Sequence, residues 1–373
     1  MSKWFAKLTK DVGQAAEDMP LPTDKVVAMP SPSLNYVVGN GGITVGKAVC
    51  FYGPESAGKS LVAQLVAVQL LKDNPDAFFI WFDTEYSFNK GWFQKLSGFG
   101  EEDMKRMIVR QSNDPLKIFD YIYGEMLEMV QDGCPVVGIA IDSVKNILYP
   151  KDMKKESTKQ TMGGGGAAYL GSALKHVTPV IREHNITTLL VQQVYEEMDE
   201  YKKMLNPFVV PDGRALKHFC DYMLEVTRVD KKDGRVEGGK DIYGSAHQIG
   251  HKVRVRGKKN RVGAPFRTAL FTLSYTDGII NVADEVFDLA KSLKVVYHPT
   301  NPETGKTSNV VWAFGDVQIK GEQNMIDRIA VDDGLRKDIT EACYNVDNND
   351  VIEESSKEFM KATGDENVDF GDL

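Results

Sequence analysis

The chain is short of the residues that build cross-linked or metal-held scaffolds. Its 373 residues include four cysteines, Cys50, Cys134, Cys220 and Cys343, and no two stand in C-x-x-C spacing. No disulfide framework or zinc site follows, and a reducing cytoplasm is the expected setting. Six histidines form no ligand-like cluster. No apolar run approaches the ~18 residues of a membrane helix, so no membrane partner is expected. The start, MSKWFAKLTKDVGQAAEDM, has lysines but no apolar core of a secretory signal. There is no internal repeat. A strong charge of one sign is also missing from most of the chain. The formal net charge is -8, yet nine acids against two bases between Asp347 and Leu373 account for -7 of it. The nearly neutral body leaves nucleic-acid binding open, and the acidity is a property of the tail.

What is present is alternation. Short apolar runs at 48–52, 77–82, 107–110, 136–141 and 187–192 read as buried strands, and periodic segments at 60–72, 116–131 and 167–183 read as helices. Strands apolar throughout and separated by helices imply an α/β fold with a mostly parallel sheet flanked by helices. Segments 222–229, 251–256 and 267–275 read as strands of an antiparallel extension. Four domains are expected: an N-terminal helix and proline-rich linker (1–32), a large α/β core (33–282), a small C-terminal α/β domain (283–346) and a disordered acidic tail (347–373). The N-terminal helix, with Trp4, Phe5, Leu8 and Val12 on one face, must cover that face either on its own core or on a neighbouring subunit.

One loop carries chemistry. Gly53-Pro54-Glu55-Ser56-Ala57-Gly58-Lys59-Ser60 fits G-x-x-x-x-G-K-[ST], with a strand before it and an amphipathic helix after it. Glycines let backbone N–H groups turn inward around a phosphate, and the helix points its positive end there. Lys59 is expected to reach the β and γ phosphates of ATP, and the Ser60 hydroxyl to ligate Mg²⁺. The run 136–141 is apolar up to Asp142, a second Mg²⁺ contact in the Walker B manner. Another strand ends in Asp83-Thr84-Glu85, where a carboxylate can polarise an attacking water. A further strand ends in Gln192-Gln193, amides able to sense a γ-phosphate or simply to cap a strand.

These strand ends, in this order, resemble the RecA family of recombinases, bacterial members and phage recombinases of the UvsX type alike. Ser33-Leu34-Asn35 with Gly39, Gly41, Gly42 and Gly46 looks like the family's lead-in, and Pro54-Glu55-Ser56 is distinctive of its phosphate loop. Asp142-Ser143-Val144, Ala215-Leu216-Lys217 and the run Lys259-Asn260-Arg261-Val262 with Ala264-Pro265-Phe266 match later signatures. The likeness runs from about residue 33 to 280, and more weakly to about 335. It implies that Glu85 is the general base, that Gln193 links γ-phosphate to a DNA loop, and that Asn89 and Trp92 contact adenine. It also implies that Lys259 and Arg261 reach the ATP of a neighbouring subunit.

Two loops are then expected to bind DNA. Residues 151–166 end in Gly163-Gly164-Gly165-Gly166, and residues 194–213 carry Tyr195, Tyr201, Lys202, Lys203 and Phe208, with Arg214 just beyond. Basic groups among aromatics suit single-stranded nucleic acid. The likeness departs at 167–169, Ala-Ala-Tyr, where relatives carry a basic residue; Lys175 follows a turn or two later, and the four glycines expose amides that can substitute. The function implied is a DNA-dependent ATPase that forms a helical homo-oligomeric filament on single-stranded DNA and pairs it with double-stranded DNA. Mediator and single-strand-binding proteins are the expected helpers, in the cytoplasm of a bacterium or of a phage's host. The alternatives are a RecA-fold hexameric helicase and a regulatory ATP-binding protein indifferent to DNA.

Overall fold

A computed structural model describes residues 25–148, 166–205, 207–211, 213–229, 234–240, 244–301 and 305–346. The N-terminal helix expected over 2–18, most of the first loop expected to bind DNA, including Gly163, Gly164 and Gly165, and the acidic tail lie outside the described residues.

The centre is a ten-stranded sheet: β1 (Ala48–Gly53), β2 (Phe78–Asp83), β3 (Met107–Gln111), β4 (Val136–Asp142), β5 (Thr187–Gln193), β6 (Tyr222–Arg228), β7 (Arg235–Lys240), β8 (Ala246–Asn260), β9 (Thr268–Ser274) and β10 (Gly278–Ile280). Its spatial order is β10-β9-β8-β6-β1-β5-β4-β2-β3, with β7 on β8. The strands from β6 to β3 are parallel. Successive side chains serve opposite faces: Phe51, Phe79, Trp81, Leu189 and Val191 join one apolar cluster, while Cys50, Tyr52, Ile80, Phe82 and Leu190 join the other. Burial on both faces is why these strands read as unbroken apolar runs.

The expectation that segment 222–229 belongs to the antiparallel extension is corrected. β6 runs parallel beside β1, with Tyr222 opposite Val49 and Glu225 opposite Tyr52, and antiparallel pairing begins only with β8. A parallel neighbour needs a crossover. It is supplied by a short helix, Gly213–Phe219, at the end of a stretch that reads as loop. β8 runs 15 residues, well past 251–256, because it pairs with β6 and β9 and, at its start, with β7. The segment 116–131 is helical, but wound as a π-helix over Leu116–Asp120 and Ile122–Met126.

The helices that matter for the site are α1 (Pro32–Val38), α2 (Lys59–Asp73), α3 (Lys90–Ser97), α4 (Gly166–Glu183), α5 (Gly213–Phe219) and α6 (Val282–Ser292). Ser31 caps α1 by accepting Leu34 N at 3.1 Å, with Pro32 at the first position. Segment 283–346 adds helices Glu322–Val331 and Asp333–Tyr344 and the hairpin Val311–Phe314/Val317–Lys320. Its buried Phe287, Trp312, Met325, Ile329 and Ile339 share one apolar cluster with Phe51, Phe271 and Leu273, so the core is continuous across residue 282.

Candidate nucleotide and DNA site

Parallel register brings the expected site residues to one edge of the sheet. Gly53 stands opposite Gln193, Asp142 opposite Val191, and Asp83 opposite Asp142. The phosphate loop leaves from that edge. Gly53 lies so close to β6 that a Cβ there would sit 1.9 Å from Val226 O. Gly58, at φ +94°, turns the chain into α2, and a Cβ there would meet Leu273 Cδ2 at 2.7 Å. Lys59 is buried and donates Nζ to Pro54 O at 2.5 Å, so its ammonium is folded back on its own loop. Burial pulls its pKa down, and the carboxylates of Asp142, Glu85 and Glu55 oppose that.

Asp142 hydrogen-bonds Ser60. Burial raises its pKa to about 6, helped by the charges of Glu85 and Asp83 and opposed by Ser60 and Lys59. A buried carboxylate held above its ordinary range is one that a cation would stabilise. A hydroxyl and a carboxylate are hard oxygen donors, the set that suits Mg²⁺, which keeps waters and takes phosphate oxygens for its other positions. Among the described residues no group of three or more His, Cys, Asp or Glu forms a self-sufficient metal cage, and such a Mg²⁺ does not need one.

Glu85 is tied into a chain of contacts. Its Oε1 accepts Ser143 Oγ at 2.6 Å and Gln193 Nε2 at 2.9 Å. Gln193 Oε1 in turn accepts Lys145 Nζ at 3.0 Å, and that ammonium lies 4.7 Å from the centroid of the Tyr195 ring. Thr84 and Ser143 cross-link the two strand ends: Ser143 N donates to Thr84 Oγ1 at 2.8 Å, and Thr84 Oγ1 to Ser143 O at 2.7 Å. Beside them Gln192, fully buried, donates Nε2 to Pro211 O at 2.9 Å. Both glutamines thus join the site edge to the segment that follows.

That segment is built as an arm. Tyr195–Glu196 pairs antiparallel with Phe208–Val209, and helix Glu200–Leu205, which contains Lys202 and Lys203, lies between them. Tyr195, Met198 and Tyr201 are exposed, at 53%, 90% and 74%. Lys203 pairs with Glu196 at 3.3 Å. Phe208 is half-buried, while Arg214 is exposed on α5 and Lys175 on α4. Gly166, the one member of its glycine run among the described residues, opens α4.

Lys259 and Arg261 sit at the other edge of the sheet. Lys259 is opposite Met223, itself opposite Cys50, and Asn260 is opposite Tyr222, itself opposite Val49. Along the strand direction they therefore lie three to four residues, about 10–13 Å, from the level of Gly53, and two strands to one side of it. Both side chains turn to the carboxyl end of α5. Lys259 Nζ donates to Cys220 O at 2.6 Å and to Lys217 O, and Arg261 Nη2 to His218 O at 3.2 Å. Cations there satisfy carbonyls that the helix leaves free.

The RecA N-terminal domain family matches residues 8–280. The chain belongs to the RecA family. It is 30% identical over 270 residues to the protein RecA of Aquifex pyrophilus, covering 71% of this chain and 69% of that protein. It is 27% identical over 291 residues to the protein RecA of Mycoplasma mycoides subsp. mycoides SC, covering 76% and 77% respectively. A third RecA protein, from Chloroherpeton thalassium, is 27% identical over 294 residues, 78% of this chain and 75% of that one.

Within this RecA fold two sequence expectations have other local partners. Asn89 is exposed and caps α3 by accepting Trp92 N at 2.9 Å, and Trp92 is half-buried on that helix. α3 packs against the phosphate-loop helix α2. Several contributors escape sequence reasoning. Ser143, Lys145 and Thr84 organise Glu85 and Gln193; Ser143 directly follows Asp142, and Lys145 lies in the short 3₁₀ turn Val144–Asn146. Tyr275, 44% exposed on the turn after β9, is held locally: its ring centroid lies 5.6 Å from that of His251 and its hydroxyl accepts Gln248 Nε2 at 3.0 Å.

Proposed function

We propose that this RecA-family recombination protein is a DNA-dependent ATPase that assembles head-to-tail on single-stranded DNA, with ATP at each junction, and exchanges that strand with homologous duplex. The observation that carries the reading is the contact chain Glu85–Gln193–Lys145–Tyr195. It connects the carboxylate beside the phosphate loop to the base of an exposed arm that carries two tyrosines, two lysines and four acids, in two hydrogen bonds and one cation–π contact.

The roles follow from chemistry. Lys59 exchanges its bond to Pro54 O for phosphate oxygens. Ser60 and Asp142 hold Mg²⁺, which when bound neutralises charge on those oxygens. Glu85 accepts a proton from the attacking water once Gln193 Nε2 no longer occupies its Oε1. Gln193, drawn to the nucleotide, moves the strand that leads into the arm, so nucleotide state and DNA contact are linked in both directions. Exposed Tyr195 and Tyr201 offer stacking faces, and Lys202, Lys203 and Arg214 charge for phosphates. Lys259 and Arg261 point away from their own protomer's phosphate loop, which supports their use by an adjacent protomer. A head-to-tail contact that does not close gives a filament.

The test is ATP turnover with and without single-stranded DNA, with negative-stain imaging of the same mixtures. The reading expects strong stimulation together with helical filaments. Closed rings would favour a helicase. Turnover indifferent to DNA would favour a regulatory ATP-binding protein.

A further inference from the structure

Lys259 and Arg261 flank a residue to which the phosphate chemistry assigns no part. Asn260 turns the opposite way from its neighbours. Its Nδ2 donates to Val38 O at 2.8 Å, and its Oδ1 accepts Val262 N at 2.9 Å and Gly263 N at 2.8 Å. Val38 is the last residue of α1, where carbonyls lack partners within the helix. Arg267, on the return side of the same turn, donates Nη1 to Tyr36 O at 3.1 Å and lies 4.6 Å over the Tyr36 ring. The turn and the helix end are in close contact: a Cβ on Gly263 would meet Asn260 Nδ2 at 3.3 Å and Val38 O at 3.6 Å. α1 is held in turn at its other end, where Glu285 accepts Ser31 Oγ and Ser33 N.

We propose that Asn260 is a positioning residue for ATP hydrolysis, fastening the 259–263 turn to the end of α1 so that Lys259 and Arg261 reach the adjacent protomer's nucleotide from a fixed anchor. The inference rests on the reading of those two cations as acting in trans. Its physical basis is the length of their side chains. A lysine or arginine contributes to a transition state only if its backbone anchor is held, because a misplacement of ~1 Å lowers rate by ~10²-fold. An amide suits the place because it donates and accepts at once. Aspartate would keep both acceptor bonds in the turn but set an oxygen against Val38 O; alanine would lose all three bonds.

The experiment compares wild type, Asn260→Ala, Asn260→Asp and the double variant Lys259→Ala/Arg261→Ala in DNA-stimulated ATPase assays, each alone and mixed with Lys59→Ala. Both Asn260 variants should lose ~10–100-fold in kcat. KM for ATP should stay within about threefold, since the contact serves the transition state and not ground-state binding. Filaments should still form on single-stranded DNA. Mixing either variant with Lys59→Ala should restore turnover, because the Lys59→Ala protomer presents an intact turn to an intact neighbouring pocket. A general structural defect would not be repaired by a neighbour. An unchanged kcat, or a loss that mixing does not repair although the double variant is repaired, overturns the proposal for Asn260 alone. If the double variant keeps its kcat, or is not repaired in co-assembled filaments, the trans reading fails and takes this proposal with it. Should Asn260→Ala not fold, Asn260→Asp carries the same comparison.

Discussion

Glu285 offers a quantitative test of how α6 is joined to the start of α1. Its side chain, on α6, is 4% exposed. Its Oε1 accepts Ser31 Oγ at 2.6 Å and Ser33 N at 2.7 Å, while Oε2 has no hydrogen-bond partner among the described residues. Burial outweighs the hydrogen bonds from Ser31 and from the Ser33 backbone and side chain, and lifts its pKa from 4.5 to about 7. Between those values the folded chain holds a proton that the unfolded chain has released. Stability must therefore fall as pH rises from 4.5 through 7 and stay low above that. The full swing is about 3 kcal/mol. Glu285→Gln keeps the shape and an acceptor for Ser31 and Ser33 but cannot ionise. Relative to wild type it should gain up to about 3 kcal/mol at pH 8, less a contribution for its own unpaired amide, and little at pH 5. Urea unfolding of both proteins at the two pH values measures this. Asp142, also raised by burial, titrates near 6 in both proteins and cancels in the comparison. If the gap between variant and wild type is the same at pH 5 and pH 8, the buried, ionisable seam is refuted.

Lys59→Ala should abolish hydrolysis and weaken nucleotide binding, read by turnover and by equilibrium binding of a fluorescent ATP analogue; wild-type turnover would remove the phosphate-loop assignment. Glu85→Gln should still bind ATP but hydrolyse it at least ~10²-fold more slowly, the usual scale of general-base loss, with filaments that persist longer on DNA; failure to bind nucleotide would make Glu85 structural. Gln193→Ala removes the only side-chain hydrogen bonds running from Glu85 towards the arm among the described residues, so ATP should bind while DNA no longer stimulates turnover. Truncation before Asp347 removes a charge of -7 and should tighten DNA binding at low salt more than at high salt, because screening weakens competition between tail and phosphates; equal affinity at every salt would count against that competition.

How much of this was legible in the chain follows from the range of the interactions. The phosphate loop was readable because its requirements are local: a strand, glycines at tight points, a helix start, and Lys59 and Ser60 at fixed spacing. The parallel strands were readable because burial on both faces leaves only apolar residues, and Asp142, Asp83 and Gln193 because each ends such a run. The family likeness named Lys259 and Arg261 but not what holds them. Tertiary structure alone decided the rest, since its contacts join residues far apart in sequence. Gln193 meets Glu85 across 108 positions and Asn260 meets Val38 across 222. β6 became a parallel neighbour of β1 through a seven-residue helix with too few turns to show a periodic apolar face. The continuous core across residue 282 likewise depends on which faces meet, as Phe287 and Trp312 do at 5.2 Å between ring centroids. Spacing along a chain specifies which groups an element can offer; only packing specifies which group it is offered to.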